Sequence, residues 1–107
     1  METKHTPGPW FYAGRSTLYI DASIDGGMIQ EIAAVGPTAA DNGYGETQQA
    51  NARLIAAAPD LLEKCEMALS YIEAVCFNTP NPKKRKNYAD CAGQLRAAIA
   101  KATGEQE

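Results

Sequence analysis

The chain has 107 residues, a net charge of −3, and 45% hydrophobic against 21% charged side chains. That length and balance suit one globular domain with a real core and exclude a disordered chain. The acidic surplus argues against general nucleic-acid binding, no apolar run approaches the roughly 18 residues of a membrane span, and the start Met1-Glu2-Thr3-Lys4-His5 lacks the apolar core of a secretion signal.

Taken in order, His5-Thr6-Pro7-Gly8-Pro9 is an extended lead-in, because two prolines bracketing a glycine forbid helix. Trp10-Phe11-Tyr12 has the bulk of a strand, and Gly14-Arg15-Ser16 supplies a turn. From Thr17 to Ile24 the chain alternates. Leu18, Ile20, Ala22 and Ile24 share one face, with Tyr19, Asp21 and Ser23 on the other. Asp25-Gly26-Gly27 is a hairpin signal, Met28–Val35 the returning strand, and Gly36-Pro37 its stop. A three-stranded antiparallel meander over residues 9–36 follows, then a glycine-spaced polar loop over 37–46 with room for a short fourth strand.

The helical part is expected over 47–104. A short helix runs from near Thr47 to near Ala57, and a tight bend at Ala58-Pro59 opens a long helix with proline at its first position. Leu61, Cys65, Ala68, Ile72 and Val75, flanked by Leu62, Leu69 and Cys76, form a stripe expected to be buried. Asn78-Thr79-Pro80-Asn81-Pro82 ends that helix. Lys83-Lys84-Arg85-Lys86 then reads as a solvated loop near a helix C-terminus, where the dipole favours cations. Asn87 is taken as the N-cap of a last helix carrying Tyr88, Cys91, Leu95, Ala98, Ile99 and Ala102 along one side, with Gly104 as its stop. Strands first and helices after give an α+β class: a small N-terminal antiparallel β-meander of three to four strands, a short helix, and a two-helix antiparallel hairpin, in a single domain over 1–107.

Catalytic constellations are missing from the sequence. Cys65, Cys76 and Cys91 are an odd set with no close pair, which fits a reducing, cytoplasmic setting, and His5 is the only histidine. Nothing positions a Cys–His pair, and neither a nucleophile elbow nor a phosphate loop is present. The candidate carboxylate pairs, Asp41 with Glu46 and Asp21 with Glu31, read more simply as solvated acids. The chain is therefore expected to be no enzyme and to need no cofactor or metal. Two features suit ligand binding instead. The basic run offers an anion-binding surface as the alternative to a plain loop. Around the meander and the helical elbow stand Trp10, Tyr12, Arg15, Tyr19, Tyr44, Asn51 and Arg53, where aromatic faces stack on bases, asparagine reads their edges and arginine grips phosphate. Trp10, Arg15, Tyr44, Asn51 and Arg53 are the candidate ligand-binding set.

His5-Thr6-Pro7-Gly8-Pro9-Trp10 together with Ala50-Asn51-Ala52-Arg53-Leu54-Ile55-Ala56-Ala57-Ala58-Pro59-Asp60-Leu61-Leu62 resembles a group of short phage and prophage proteins. The layout of a small sheet followed by two long helices also resembles the phage Thoeris anti-defence sponges of the first type. That resemblance implies a phage-encoded anti-defence protein that sequesters a cyclic ADP-ribose isomer or cyclic oligonucleotide without cleaving it, as a homo-oligomer in the cytoplasm of the infected host. The alternative is a protein-binding inhibitor of a host defence complex, such as an anti-CRISPR or host-takeover factor.

Overall fold

The computed structural model describes residues 4–12, 18–36 and 45–105. Three strands, β1 (Trp10–Tyr12), β2 (Leu18–Ile24) and β3 (Met28–Val35), form an antiparallel sheet in the order β1-β2-β3. The alternation of β2 is visible in its burial: Ile20 and Ala22 are fully covered, while Tyr19 and Ser23 face outward. Between β2 and β3 the link is a 3-10 turn over Asp25–Gly27, with Gly26 and Gly27 both at φ 78°, a region that a side chain enters only with strain. Ile20 pairs with Ala33 but Asp21 with Glu31, so Ile32 is the extra residue of a bulge. The expected three-stranded meander is thus present. The Gly14-Arg15-Ser16 turn and most of the 37–46 loop lie outside the described residues.

Helix α1 (Glu46–Ala56) packs on the inner face of the sheet. Ile20, Val35 and Ala52 form the core there, ringed by Trp10, Tyr12, Ile32, Ala33, Ile55 and Ala56. Ala52 is what allows the close approach, because its methyl leaves the helix backbone near the sheet. Beside it the buried Gln48 sends Nε2 to the Val35 carbonyl at 2.7 Å, which gives a polar strand end its partner where water is excluded. The lead-in is fastened too. The Thr6 carbonyl accepts from Trp10 Nε1 at 3.0 Å and lies 2.9 Å from His5 Nδ1, while the His5 ring meets Trp10 edge-on. Gly8 sits against Pro59: a Cβ there would lie 3.1 Å from the proline ring, so the first sequence motif touches the second.

The helical break falls at Ala57, one residue before the expected bend, and α2 (Ala58–Asn78) starts there. Pro59 is its second residue, still in the first turn, where a missing N–H costs nothing. After a short link comes α3 (Pro82–Thr103). Here the sequence reading needs correction, since the cap is Asn81 and not Asn87. The Asn81 side chain accepts from the Lys83 and Lys84 amides at 3.0 and 3.2 Å, with Pro82 pre-set for the first helical position. The basic run is therefore helix and not loop. It sits at the positive end of the dipole, where cations are disfavoured, with no acid in the first turn to offset it. Lys86 recovers part of that cost through Asp90, 3.0 Å away. Gly104, at φ 77°, closes α3 as expected.

The residues group into two compact units, Met1–Asp60 and Leu61–Glu107, with the boundary inside the continuous α2. Within the second unit, α2 and α3 form a hairpin tied by Arg96 Nη2 to Glu73 Oε2 at 3.0 Å. Arg85 adds a hydrogen bond from Nε to the Thr79 carbonyl at 2.9 Å. The stripe expected to be buried is not. No residue of α2 is buried, and Leu61 is 49% exposed. The covered side of α3 is also rotated from the expected one: Ala92 is buried and Tyr88, Leu95 and Ile99 half-buried, while Cys91, Ala98 and Ala102 face out. Among the described residues no helix is long and apolar enough to cross a membrane.

Candidate functional site

Of the residues expected to bind a ligand, those described stand on β1 and α1. Trp10 is half-buried against the sheet core, and its indole N–H is spent on Thr6, so it holds the lead-in. Arg53 is exposed but lies over the Tyr12 ring, 6.0 Å from its centroid, which stabilises both side chains at the edge of α1. Asn51 is exposed on α1, and Tyr19 is 39% exposed on the outer face of the sheet. Arg15 and Tyr44 lie outside the described residues. Of the carboxylate pairs, Asp21 and Glu31 stand directly opposite each other across β2 and β3. Like charges so placed repel and destabilise the pair of strands. Asp41 lies outside the described residues. The same residues contain no group of three or more His, Cys, Asp and Glu side chains that could hold a metal. All three cysteines are free thiols.

A second site lies in the helical unit, beside the basic run that the sequence offers as an anion-binding surface. Glu73, Cys76 and Phe77 of α2 and Arg85, Ala89, Ala92 and Arg96 of α3 line a groove of about 590 Å³. Its floor is small and apolar, because alanine recurs on α3 at 89 and 92. At one rim Phe77 presents an almost uncovered ring, 87% exposed. Two guanidinium groups border the same space. Arg96 is held by Glu73, which fixes its orientation while both remain about half exposed. Arg85 gives Nε to the Thr79 carbonyl, and its terminal nitrogens make no hydrogen bond or ion pair among the described residues. Lys83, Lys84 and Lys86 stand exposed on the same first turns of α3 and add positive potential. An exposed aromatic face next to two forked cations can stack on a planar ring and grip a phosphate or carboxylate at once. The signal in the sequence was the basic run together with Glu73 and Arg96. Reading it required the start of α3 at Pro82, which turns Arg85 toward α2.

The geometry defines a small α+β protein with an open, cation-bordered groove. The chain belongs to the family described as Salmonella phage P22 protein Y8K6, whose profile matches residues 1–106. That family is a phage protein family, and its description says nothing of what its members bind. No curated protein and no solved structure matches the chain significantly.

Proposed function

We propose that this phage protein works by binding and not by chemistry, and that it captures a cyclic nucleotide-type immune signal of the host. The observation that supports this most is the groove between α2 and α3, with Phe77 at its rim and Arg85 and Arg96 beside it. A nucleotide carries the two features these groups match: a flat base for the ring, and phosphate oxygens for the guanidinium forks. The first turns of α3 favour the same ligand, since an anion there would relieve the crowding of Lys83, Lys84, Arg85 and Lys86 at the positive helix end. The binding set in this reading is Phe77, Arg85 and Arg96 in place of the residues around the elbow.

Titration calorimetry of the full chain with cyclic ADP-ribose isomers and cyclic di- and trinucleotides tests it. Saturable binding to at least one, lost in Arg85→Ala and Arg96→Ala and with the ligand recovered chemically unchanged, is the expected result. Flat titrations across the panel overturn it. One observation favours the second reading, a protein-binding inhibitor of a host defence complex. A phenyl ring as exposed as Phe77 suits a pocket on another protein at least as well as a base. In that case a stoichiometric host protein is retained by the wild-type chain and released by Phe77→Ser, with no nucleotide bound.

A further inference from the structure

Helix α2 is apolar on two sides. Leu62, Cys65, Leu69, Ile72 and Cys76 repeat at steps of three and four and lie half-buried on the side where Cys76 meets the Arg85 carbonyl. A second row with the same spacing, Leu61, Lys64, Ala68, Tyr71, Val75 and Asn78, lies roughly 100° round the helix. Tyr71 is 74% exposed and Leu61 49%, Ala68 and Val75 are half-buried, and the neighbouring Met67 is 57% exposed. A helix apolar on both sides is normally covered on both. We infer that this second row is a self-association surface, on which α2 pairs antiparallel with α2 of a second copy of the chain.

The row is complementary to itself only in that sense. At its C-terminal end lies a hollow of about 400 Å³ lined by Tyr71, Ala74, Val75, Asn78 and Thr79. At its N-terminal end Leu61 protrudes. A two-fold axis through the middle of the row sets each Leu61 against Asn78 of the other copy, so each leucine enters the other copy's hollow. The same operation puts Lys64 against Val75 and the small Ala68 against the large Tyr71, which is how knobs and holes interlock. Lys64 is the only charge in the row. The antiparallel sense keeps the two copies of it about 16 Å apart along the axis, beyond the screening length in ordinary salt, whereas a parallel pair would set them face to face. The row spans about 25 Å, and covering it on both copies removes on the order of 1,000 Å² from water, the lower bound for a specific interface. The dimer does not depend on the nucleotide reading, because the groove lies on the other side of α2.

Sedimentation equilibrium of the full chain without any nucleotide tests the inference. The expected result is a monomer–dimer equilibrium that Tyr71→Glu and Leu61→Asp each weaken on the order of 100-fold, with unchanged far-UV circular dichroism. A chain carrying Lys64→Cys and Val75→Cys, with Cys65, Cys76 and Cys91 replaced by alanine, should cross-link between copies under mild oxidation. A wild-type chain that stays monomeric at several hundred micromolar overturns the inference. So does a dimer that Tyr71→Glu leaves intact, or a dimeric cysteine variant that fails to cross-link. Calorimetry with nucleotides is untouched by any of these outcomes.

Discussion

The two units of this chain solve the problem of burial differently. In Met1–Asp60 a small sheet and one helix enclose side chains completely: Ile20, Ala22 and Ala52 have no exposed surface, and even the polar Gln48 is placed to satisfy a buried carbonyl. In Leu61–Glu107 two helices of similar length leave most of their side chains uncovered, and Ala92 is the single buried residue among those described. A sheet face can be sealed by one helix, since it is flat and alternate side chains already point one way. A helix is round, and one neighbour leaves most of its circumference bare. The first unit therefore reads as a finished core, and the second as a surface made for use.

Mutations can break or sharpen that contrast. Ile20→Ala should be the most damaging, costing about 3–4 kcal/mol of unfolding free energy in urea titration, because a fully enclosed side chain leaves a cavity that a tight sheet cannot fill. Gln48→Ala should cost about 2 kcal/mol by the same measurement, since the Val35 carbonyl loses its donor in a dry place. In the helical unit Asn81→Ala removes a cap and should cost only about 1 kcal/mol, with loss of helical signal from the start of α3. Arg96→Ala should be close to neutral, within about 0.5 kcal/mol, because its ion pair with Glu73 is half exposed, yet it should abolish ligand capture. Hydrogen exchange gives a direct comparison. Amides of β2 should be far better protected than those of α3, and equal protection would mean that the helical unit is covered in solution.

Much of the architecture could be read from residue order. The alternation from Leu18 to Ile24, the Asp25-Gly26-Gly27 turn and the proline after Ala58 each point one way, and the elements stand where they indicate. The errors have physical causes. Asparagine caps well at either position, 81 or 87, and Asp90, three residues after Asn87, points to the later one by sequence. Pro82 and two amide hydrogen bonds decided for the earlier one. The face that α3 buries is also one position from the expected one, with Ala92 inside where Cys91 had been expected. Trp10 and Arg53, whose chemistry suits ligands, also have partners inside the fold, Thr6 and Tyr12. The groove was hidden because its parts come from two helices, and Arg85 joins the second of them only when it begins at Pro82.

The contact between Gly8 and Pro59 makes one motif a constraint on the other. The hydrogen at position 8 is there because a ring stands opposite it, about fifty residues later in the chain. Among relatives of this protein the two positions should drift as a pair: where the proline has been exchanged for something slimmer, position 8 becomes free to carry a methyl, and where the ring is kept, it does not.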